Sequence, residues 1–228
     1  TAKPAFLSVK EAAATNKPER IVDDARRFFP RWGAGIALRG NARVAGAPVE
    51  YDLMVANGEQ DAGNPFEEDD NVAKSVTARL RAELAPTVTV GGSVYRDRPA
   101  SDNVDAVTSA GGEFELLWNR VRVLGEVVVG VYDPVGNASV TQIGWFVQPS
   151  YHYESGVTPY VRVGRVDPNT DVDADHGWEV VTGVNWATSA HLMLKLEHNY
   201  VAGGKASSVG AYPGRDYNEI KAAIVSGF

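Results

Sequence analysis

Four arginines stand as two pairs at a spacing that suits anion binding. Arg79 and Arg81 are separated by one residue, and so are Arg120 and Arg122. In an extended strand, residues two apart point to the same face and lie about 6–7 Å from each other. Each pair therefore presents two guanidinium groups in one row, and these groups bind phosphate or carboxylate through paired hydrogen bonds. The alternative is that carboxylates on neighbouring strands neutralise the arginines of this face, as expected for Glu115 beside Arg122 and for Asp52 beside Arg39.

The same face carries further charged residues of both signs. The candidate pore-lining and anion-binding set is Arg39, Arg43, Arg79, Arg81, Arg120, Arg122, Arg162 and Lys195. With Lys221 these make nine basic residues, against the nine acidic residues Glu50, Asp52, Glu83, Glu113, Glu115, Glu126, Glu179, Glu197 and Glu219. A pore that selects anions needs an excess of positive charge at its narrowest point. The balanced count favours conduction of small solutes in general over strict selection of phosphate.

The elements that carry these charges follow a period of two. In 75–84, for example, Val76, Ala78 and Leu80 alternate with charged or hydroxyl-bearing residues. Apolar and polar residues alternate in the same way in 33–43, 49–55, 75–84, 87–96, 112–118, 120–131, 140–153, 157–165, 178–187, 191–201 and 217–228. This alternation predicts about eleven antiparallel β-strands and no long helix.

The connections between the predicted strands are alternately short and long. Short turns are expected at 45–48, 84–87, 118–120, 154–157 and 187–190, and long polar loops at 57–72, 97–109, 132–139, 166–177 and 202–216. This rhythm is typical of an up-and-down barrel in a bacterial outer membrane, where tight turns face the periplasm and longer loops face outside. The predicted fold class is therefore all-β, an antiparallel up-and-down transmembrane β-barrel.

The apolar face supports the membrane interpretation. Its central positions are uncharged and often small. Its ends carry the aromatic residues Trp32, Tyr51, Trp118, Trp145, Tyr151, Tyr153, Trp178, Trp186, Tyr200 and Phe228. Aromatic residues at both ends of an apolar band form interfacial girdles in outer-membrane barrels. The alternative is a soluble barrel or sandwich whose apolar face is the core, but small residues fill a dry core poorly.

Composition and motifs exclude several other functions. The chain of 228 residues has no cysteine, which excludes thiolate catalysis and thiolate metal sites, and its net charge of −7 argues against nucleic acid as a partner. His152, His176, His191 and His198 share no metal-binding spacing and are expected to be interfacial or exposed. No nucleophile motif or phosphate loop occurs. We therefore expect no enzyme activity and no cofactor.

Acidic loops are the one weak metal signal. Asp167, Asn169, Asp171 and Asp173 place oxygens at alternate positions, as calcium loops do. The glycine and glutamate of the EF-hand pattern are replaced by Val172 and Trp178, so a solvated acidic loop is favoured. The loop at 59–71 is similar, and both could bind divalent cations together with lipopolysaccharide.

Several stretches resemble the family of phosphate-selective porins O and P. They are "RFFPRWGAGIALRG", "YDLMVANGE", "TPYVRVGRVDPNTDVD" and "GWEVVTGVNWATSAHLMLKLEHNYV", and the resemblance covers most of 26–228. It corresponds to the C-terminal part of that family. It implies a 16-stranded homotrimeric barrel that takes up anions. A lysine cluster at the constriction, which the family would imply, is not found in this chain.

The ends of the chain give two further expectations. Phe228 is similar to the terminal aromatic residue read by the barrel-assembly machinery, although Ser226 departs from that signal. The first and last predicted strands both run toward the short-turn side, whereas bacterial barrels have even strand numbers. We therefore expect at least one strand to be missing, so that this chain is part of a larger barrel and Thr1 lies in an outside loop of a longer protein.

The segment 1–31 differs from the barrel region 32–228. The stretch "ERIVDDARRFF" could form about two turns of helix, with Ile21, Ala25 and Phe28 on one side. It could fold into the pore and offer Arg20, Arg26 and Arg27 to anions. The alternative is an outside loop with a solvated charge run.

These patterns together predict a porin in the bacterial outer membrane, surrounded by lipid and lipopolysaccharide. Small hydrophilic solutes, including anions such as phosphate, would diffuse through it passively. The alternative is a structural outer-membrane barrel that acts as a scaffold or sheath in an envelope complex.

Overall fold

The structure is a computed structural model, and it describes residues 28, 35–57, 73–98, 104–203 and 215–226. The eleven strands of these residues are β1 (Gly35–Val44), β2 (Ala47–Asn57), β3 (Lys74–Ala85), β4 (Val88–Asp97), β5 (Val104–Trp118), β6 (Val121–Pro134), β7 (Val140–Tyr151), β8 (Val157–Asp167), β9 (Gly177–Ser189), β10 (Leu192–Gly203) and β11 (Tyr217–Ser226). Each pairs antiparallel with the next along the chain, so the sheet order is the sequence order. The predicted all-β, up-and-down architecture is confirmed. Within the described ranges no helix is long and apolar enough to cross a membrane.

The predicted sorting of the connections is also confirmed. Hairpins at one end of the sheet are joined by the short segments 45–46, 86–87, 119–120, 152–156 and 190–191. Connections at the other end are longer than their neighbours along the chain, except that 135–139 has the same length as 152–156. Ala45 and Gly46 both have positive φ, at 50° and 88°. This is the backbone of a tight hairpin turn whose twist matches that of the flanking strands.

One strand is longer than the alternation predicts. β5 begins at Val104, whereas the sequence pattern places a strand only over 112–118 and a loop up to residue 109. In this stretch Thr108 lies on the apolar parity and Val107 on the polar one, so the period of two is broken. Backbone pairing with both β4 and β6 extends the strand regardless of the side chains.

The two faces of the sheet have inverted polarity relative to a soluble protein. The exposed face, which we call the outer wall, carries the apolar parity, with Ile36 at 83% exposure and Leu38 at 58%. The opposite face, the inner wall, carries most of the buried polar residues, which include Ser75, Ser109 and Gln142. A soluble barrel would bury the apolar face, so this inversion favours the predicted barrel whose outer wall contacts lipid.

Aromatic side chains lie at both ends of the outer wall. Trp118, 81% exposed, ends β5 at the short-turn side, and the rings of Tyr151 and Tyr153 stand 4.7 Å apart beyond the end of β7. At the long-loop side the rings of Trp145 and Trp178 meet edge to face at 5.6 Å. The predicted girdle residues Trp32 and Phe228 lie outside the described residues.

The spacing of the girdles can be read along β9. Trp186 and Trp178 are eight residues apart on one face, about 26 Å along the strand. Strands of outer-membrane barrels tilt by about 35–45°, so this length corresponds to about 18–21 Å of height, somewhat less than the apolar band of about 25 Å. Thr182 stands midway between the two tryptophans and pairs with Val161 of β8, so these positions mark the middle of the band.

A charge placed at this depth tests the membrane-facing assignment of the outer wall. We expect Val161→Arg to lower the free energy of unfolding from lipid vesicles by about 2–4 kcal/mol, because the guanidinium would face hydrocarbon. Val161→Leu is the control and should change it by less than about 1 kcal/mol. Equal stability of the Arg and Leu variants in denaturant titrations would contradict the assignment.

Candidate functional site on the inner wall

A cluster of charged side chains crosses β3, β4 and β5 on the inner wall. Arg79 binds Glu113, and Arg81 binds Glu115 with 2.6 Å between Nη2 and Oε2. Glu115 also accepts a hydrogen bond from Arg122 of β6, at 2.7 Å from Nε to Oε1. We call these five residues the β3–β6 charge cluster. Three guanidiniums face two carboxylates within it, and Glu50 of β2 stands 3.9 Å from Arg81.

A glycine makes this cluster possible. β4 lies between β3 and β5, so the arginines must reach across it to meet the glutamates. A Cβ at Gly91 would stand 2.6 Å from Oε1 of Glu113, which means that the carboxylate occupies the space of the absent side chain. The neighbouring Gly92 points to the outer wall, where a Cβ would find its nearest atom at 3.6 Å. Gly91 therefore opens the path between the two strands.

A second group of polar side chains lies on β8 to β11. Tyr160 donates a hydrogen bond to Glu197, and its ring covers Gly183, where a Cβ would stand 2.4 Å from Cζ. Elsewhere in this group, Arg162 approaches Glu179 at 3.6 Å and Lys221 approaches Glu219 at 3.0 Å. We call this the β8–β11 charge cluster. As in the first cluster, a glycine on the intervening strand lets side chains from alternate strands meet.

The remaining candidate anion-binding residues are spread along the wall. Arg39 pairs with Asp52 at 2.7 Å, as the sequence predicts, and Arg120 pairs with the exposed Glu154 at the short-turn end. Arg43 donates to the carbonyl of Gly46 at 3.4 Å. In the described residues Lys195 forms no ion pair. Most of the predicted basic residues thus have carboxylate partners, and their role as anion ligands stays a prediction.

An apolar cluster on the inner wall was missed by the sequence reasoning. Tyr95, Val128 and Phe146 are buried there, at 0–6% exposure, and Phe28 packs against them. Phe28 is the one described residue of segment 1–31, and its Cδ1 would stand 3.0 Å from a Cβ at Gly130. Leu124 and Val128 of β6 and Phe146 of β7 place apolar side chains among the polar residues of the inner parity. This interruption was the signal in the sequence for a contact inside the barrel.

The loop between β8 and β9 contains a pair of buried carboxyls. Asp167 and Asp175 are 9% and 7% exposed, and Asp167 also binds Arg165 at 3.0 Å. Loss of water and repulsion by Asp167 raise the pKa of Asp175 above its ordinary value. The amide oxygen of Asn169 accepts a hydrogen bond from the N–H of Asp171.

The candidate calcium ligands are not gathered into a cluster. Across the ranges that the structure describes, no three acidic, histidine or cysteine side chains stand close enough to share a metal ion. Calcium binding by Asp167, Asn169, Asp171 and Asp173 stays a prediction. The similar loop at 59–71 lies outside the described residues.

Comparisons with known proteins give structural neighbours only. No protein-family model and no curated protein matches the chain. Among solved structures, an anion-selective porin from Comamonas acidovorans has a TM-score of 0.63 at 10% identity, covering 88% of this chain and 65% of its own. OmpT, an outer membrane protein of Vibrio cholerae, in its trimer form has a TM-score of 0.56 at 15% identity, covering 83% and 64%. A second OmpT structure has a TM-score of 0.56 at 14% identity, covering 83% and 63%.

These likenesses establish the fold. The chain shares the antiparallel barrel fold of outer-membrane porins and spans slightly less than two-thirds of the length of each neighbour. At 10–15% identity these structures show the shared fold and do not assign the chain to the phosphate-selective family.

A matched pair of glycine substitutions tests the charge cluster. Gly91→Ala should displace the Glu113 carboxylate from Arg79 and lower the free energy of unfolding by about 1–2 kcal/mol, because a partly buried ion pair is loosened. Gly92→Ala should cost less than about 0.5 kcal/mol, because its Cβ enters open space. Equal losses in denaturant titrations of the two variants would contradict the crossing role of Gly91.

The buried carboxyl of Asp175 predicts that the stability of its loop falls as the pH rises, whereas a carboxylate in an ordinary salt bridge adds stability as the pH rises. Folding raises the pKa of Asp175, so the protonated carboxyl is the form that the folded state favours. Its contribution to the stability of the folded state is therefore complete at pH below about 3.9, the ordinary pKa, and is lost as the pH rises through the pKa of the folded state. Asp175→Asn should therefore stabilise the 168–176 loop at pH 7 and lose this advantage at low pH. Amide hydrogen exchange of the loop, compared between the variant and the wild type at pH 7 and at low pH, measures this difference in stability. Faster exchange in the variant at pH 7 would contradict the prediction.

Proposed function

We propose that this protein is a porin of the bacterial outer membrane through which small hydrophilic solutes diffuse passively. The observation that carries the proposal is the inverted polarity of the eleven-stranded sheet, with an apolar outer wall and a charged inner wall. An inner wall rich in Arg, Glu, Ser and Asn keeps water and hydrated solutes in the pore. The fold shared with an anion-selective porin supports the same conclusion. The proposal assigns no enzyme activity.

The finer assignment concerns anions of the phosphate type. In the β3–β6 charge cluster three guanidiniums face two carboxylates, so the local balance is positive by one charge. Glu50 near Arg81 and Glu126, the register partner of Glu113, offset this excess. We propose that any preference for anions is modest and is set where Arg79, Arg81 and Arg122 gather, with membership of the phosphate-selective family as the corresponding identity.

The proposed assembly is a larger barrel in a homotrimer. β1 and β11 are the two edges of the sheet, and each pairs with one strand among the described residues. Further strands would close the wall between these edges, consistent with the greater length of the structural neighbours. Lipid and lipopolysaccharide would surround the outer wall, and Phe228 would be a recognition residue for the barrel-assembly machinery.

Conductance in planar lipid bilayers tests the function. The protein should give ohmic conductance and, in a salt gradient, a reversal potential that indicates anion preference. Absence of conductance from correctly folded protein would overturn the porin proposal.

Substitutions that remove either one positive or one negative charge test the role of the β3–β6 charge cluster. Arg81→Gln should move the reversal potential toward cations and Glu115→Gln toward anions. One charge at about 5 Å contributes about 0.8 kcal/mol in water, so we expect a fewfold change in permeability ratio at low salt and less at high salt. Arg120→Gln is the control, because Arg120 pairs with an exposed residue at the short-turn end. Equal reversal potentials for all three variants would assign the cluster to wall structure.

A structural barrel is the second candidate, and one observation favours it. The inner wall is closely covered around Phe28, with Val128 at 0% and Gln142 at 1% exposure. A barrel filled in this way could act as a scaffold or sheath in an envelope complex. Folded protein that forms no pore would favour this candidate.

A further inference from the structure

The outer wall carries a polar patch at the depth where lipid is least polar. Thr182 of β9 and His198 of β10 are in register and both are exposed. Thr182 lies midway between the girdle residues Trp178 and Trp186, so the pair stands in the middle of the apolar band. Asn218 of β11 extends the patch toward the long-loop side. We call these three residues the β9–β11 polar patch.

The patch is an exception on this face. Val161, the register partner of Thr182, is apolar, and so are exposed outer-wall residues within other strands, such as Leu53, Val127 and Val147. A polar group that faces hydrocarbon is costly unless hydrogen bonds satisfy it. Lipid acyl chains offer no hydrogen bonds, whereas a protein surface does.

Hydrogen bonds within the patch use only some of the donors and acceptors of its side chains. Nε2 of His198 lies 3.0 Å from Oδ1 of Asn218, and since Oδ1 only accepts, Nε2–H donates. An imidazole that carries its one proton on Nε2 has an acceptor at Nδ1, and the Asn218 amide keeps two N–H donors. The Thr182 hydroxyl reaches the carbonyl of His198 only at 3.5 Å.

The patch is therefore complementary to a copy of itself. The amide donors of Asn218 in one copy match the imidazole acceptor of His198 in another, and no formal charge of like sign opposes the contact. Apolar side chains flank it on β11, where Ile220 and Ile224 are each 75% exposed and can pack across such a contact. Small residues such as Ala222 between them allow close approach of two walls.

We propose that the β9–β11 polar patch is an interface with a second copy of this chain, placed at the symmetry axis of the oligomer. The proposal rests on the membrane barrel of the proposed function and adds to it the surface through which the barrels associate. It does not depend on what the pore conducts.

Replacing the polar residues of the patch by apolar ones tests whether the patch contacts a second copy of the chain or faces lipid. The Thr182→Val/His198→Leu double variant makes the outer wall uniformly apolar, which suits lipid and leaves the fold of the single barrel intact. Analytical ultracentrifugation of the refolded protein in detergent should show an oligomer for the wild type and a shift toward single barrels for the variant. The Val161→Leu variant, on the neighbouring strand at the same depth, is the control and should keep the oligomer.

Cysteine cross-linking locates the contact, because the chain contains no cysteine of its own. Ala222→Cys should form disulfide-linked dimers under copper-phenanthroline oxidation. Ala78→Cys, an alanine of β3 on the same outer wall, should not. A monomeric wild type, an oligomer that survives the double substitution, or absent or equal cross-linking at the two sites would each overturn the proposal. Bilayer conductance of the same samples reports separately on the porin function, so failure of one proposal leaves the other standing.

Discussion

The structure depends on pairing the backbone hydrogen-bonding groups of each strand with those of its neighbours. Lipid offers no donors or acceptors, so a membrane-spanning strand must pair on both sides. Ten consecutive antiparallel pairings meet this requirement for β2 to β10 and for one edge each of β1 and β11. Once the backbone is satisfied in this way, the side chains are free to divide by parity, with apolar residues toward lipid and polar residues inward.

This division explains how a chain of ordinary mean hydropathy can have an apolar exposed face and a polar buried face. Its mean hydropathy of −0.22 is that of a water-soluble protein. The average hides two surfaces, because exposed residues such as Ile36 and Ile224 are apolar whereas the buried Gln142 and Asn199 are polar. A folded chain of ordinary mean hydropathy can therefore present a continuous lipid-facing band.

Glycine has a second role in this wall, which is to let side chains act across a strand. Gly91 admits the Glu113 carboxylate, and Gly183 lies beneath the Tyr160 ring. Each brings together groups from strands that are not paired with each other. On the outer wall the same relation occurs where Tyr51 covers Gly40 and Phe114 covers Gly125, which shields the backbone from lipid. Position within the sheet thus decides whether a glycine serves the charge clusters or the membrane surface.

The sequence by itself determined the fold, because parity is a local property. Alternation along each strand, girdle residues such as Trp118 and Trp178, and the sorting of short and long connections are all visible without tertiary contacts. The ion pair between Arg39 and Asp52 followed from hairpin register alone. Only the tertiary structure decided which charges meet across an intervening strand, and that Phe28 packs on the inner wall. These contacts join residues far apart in sequence, and their geometry depends on side-chain reach and on small residues between them, which no local period encodes.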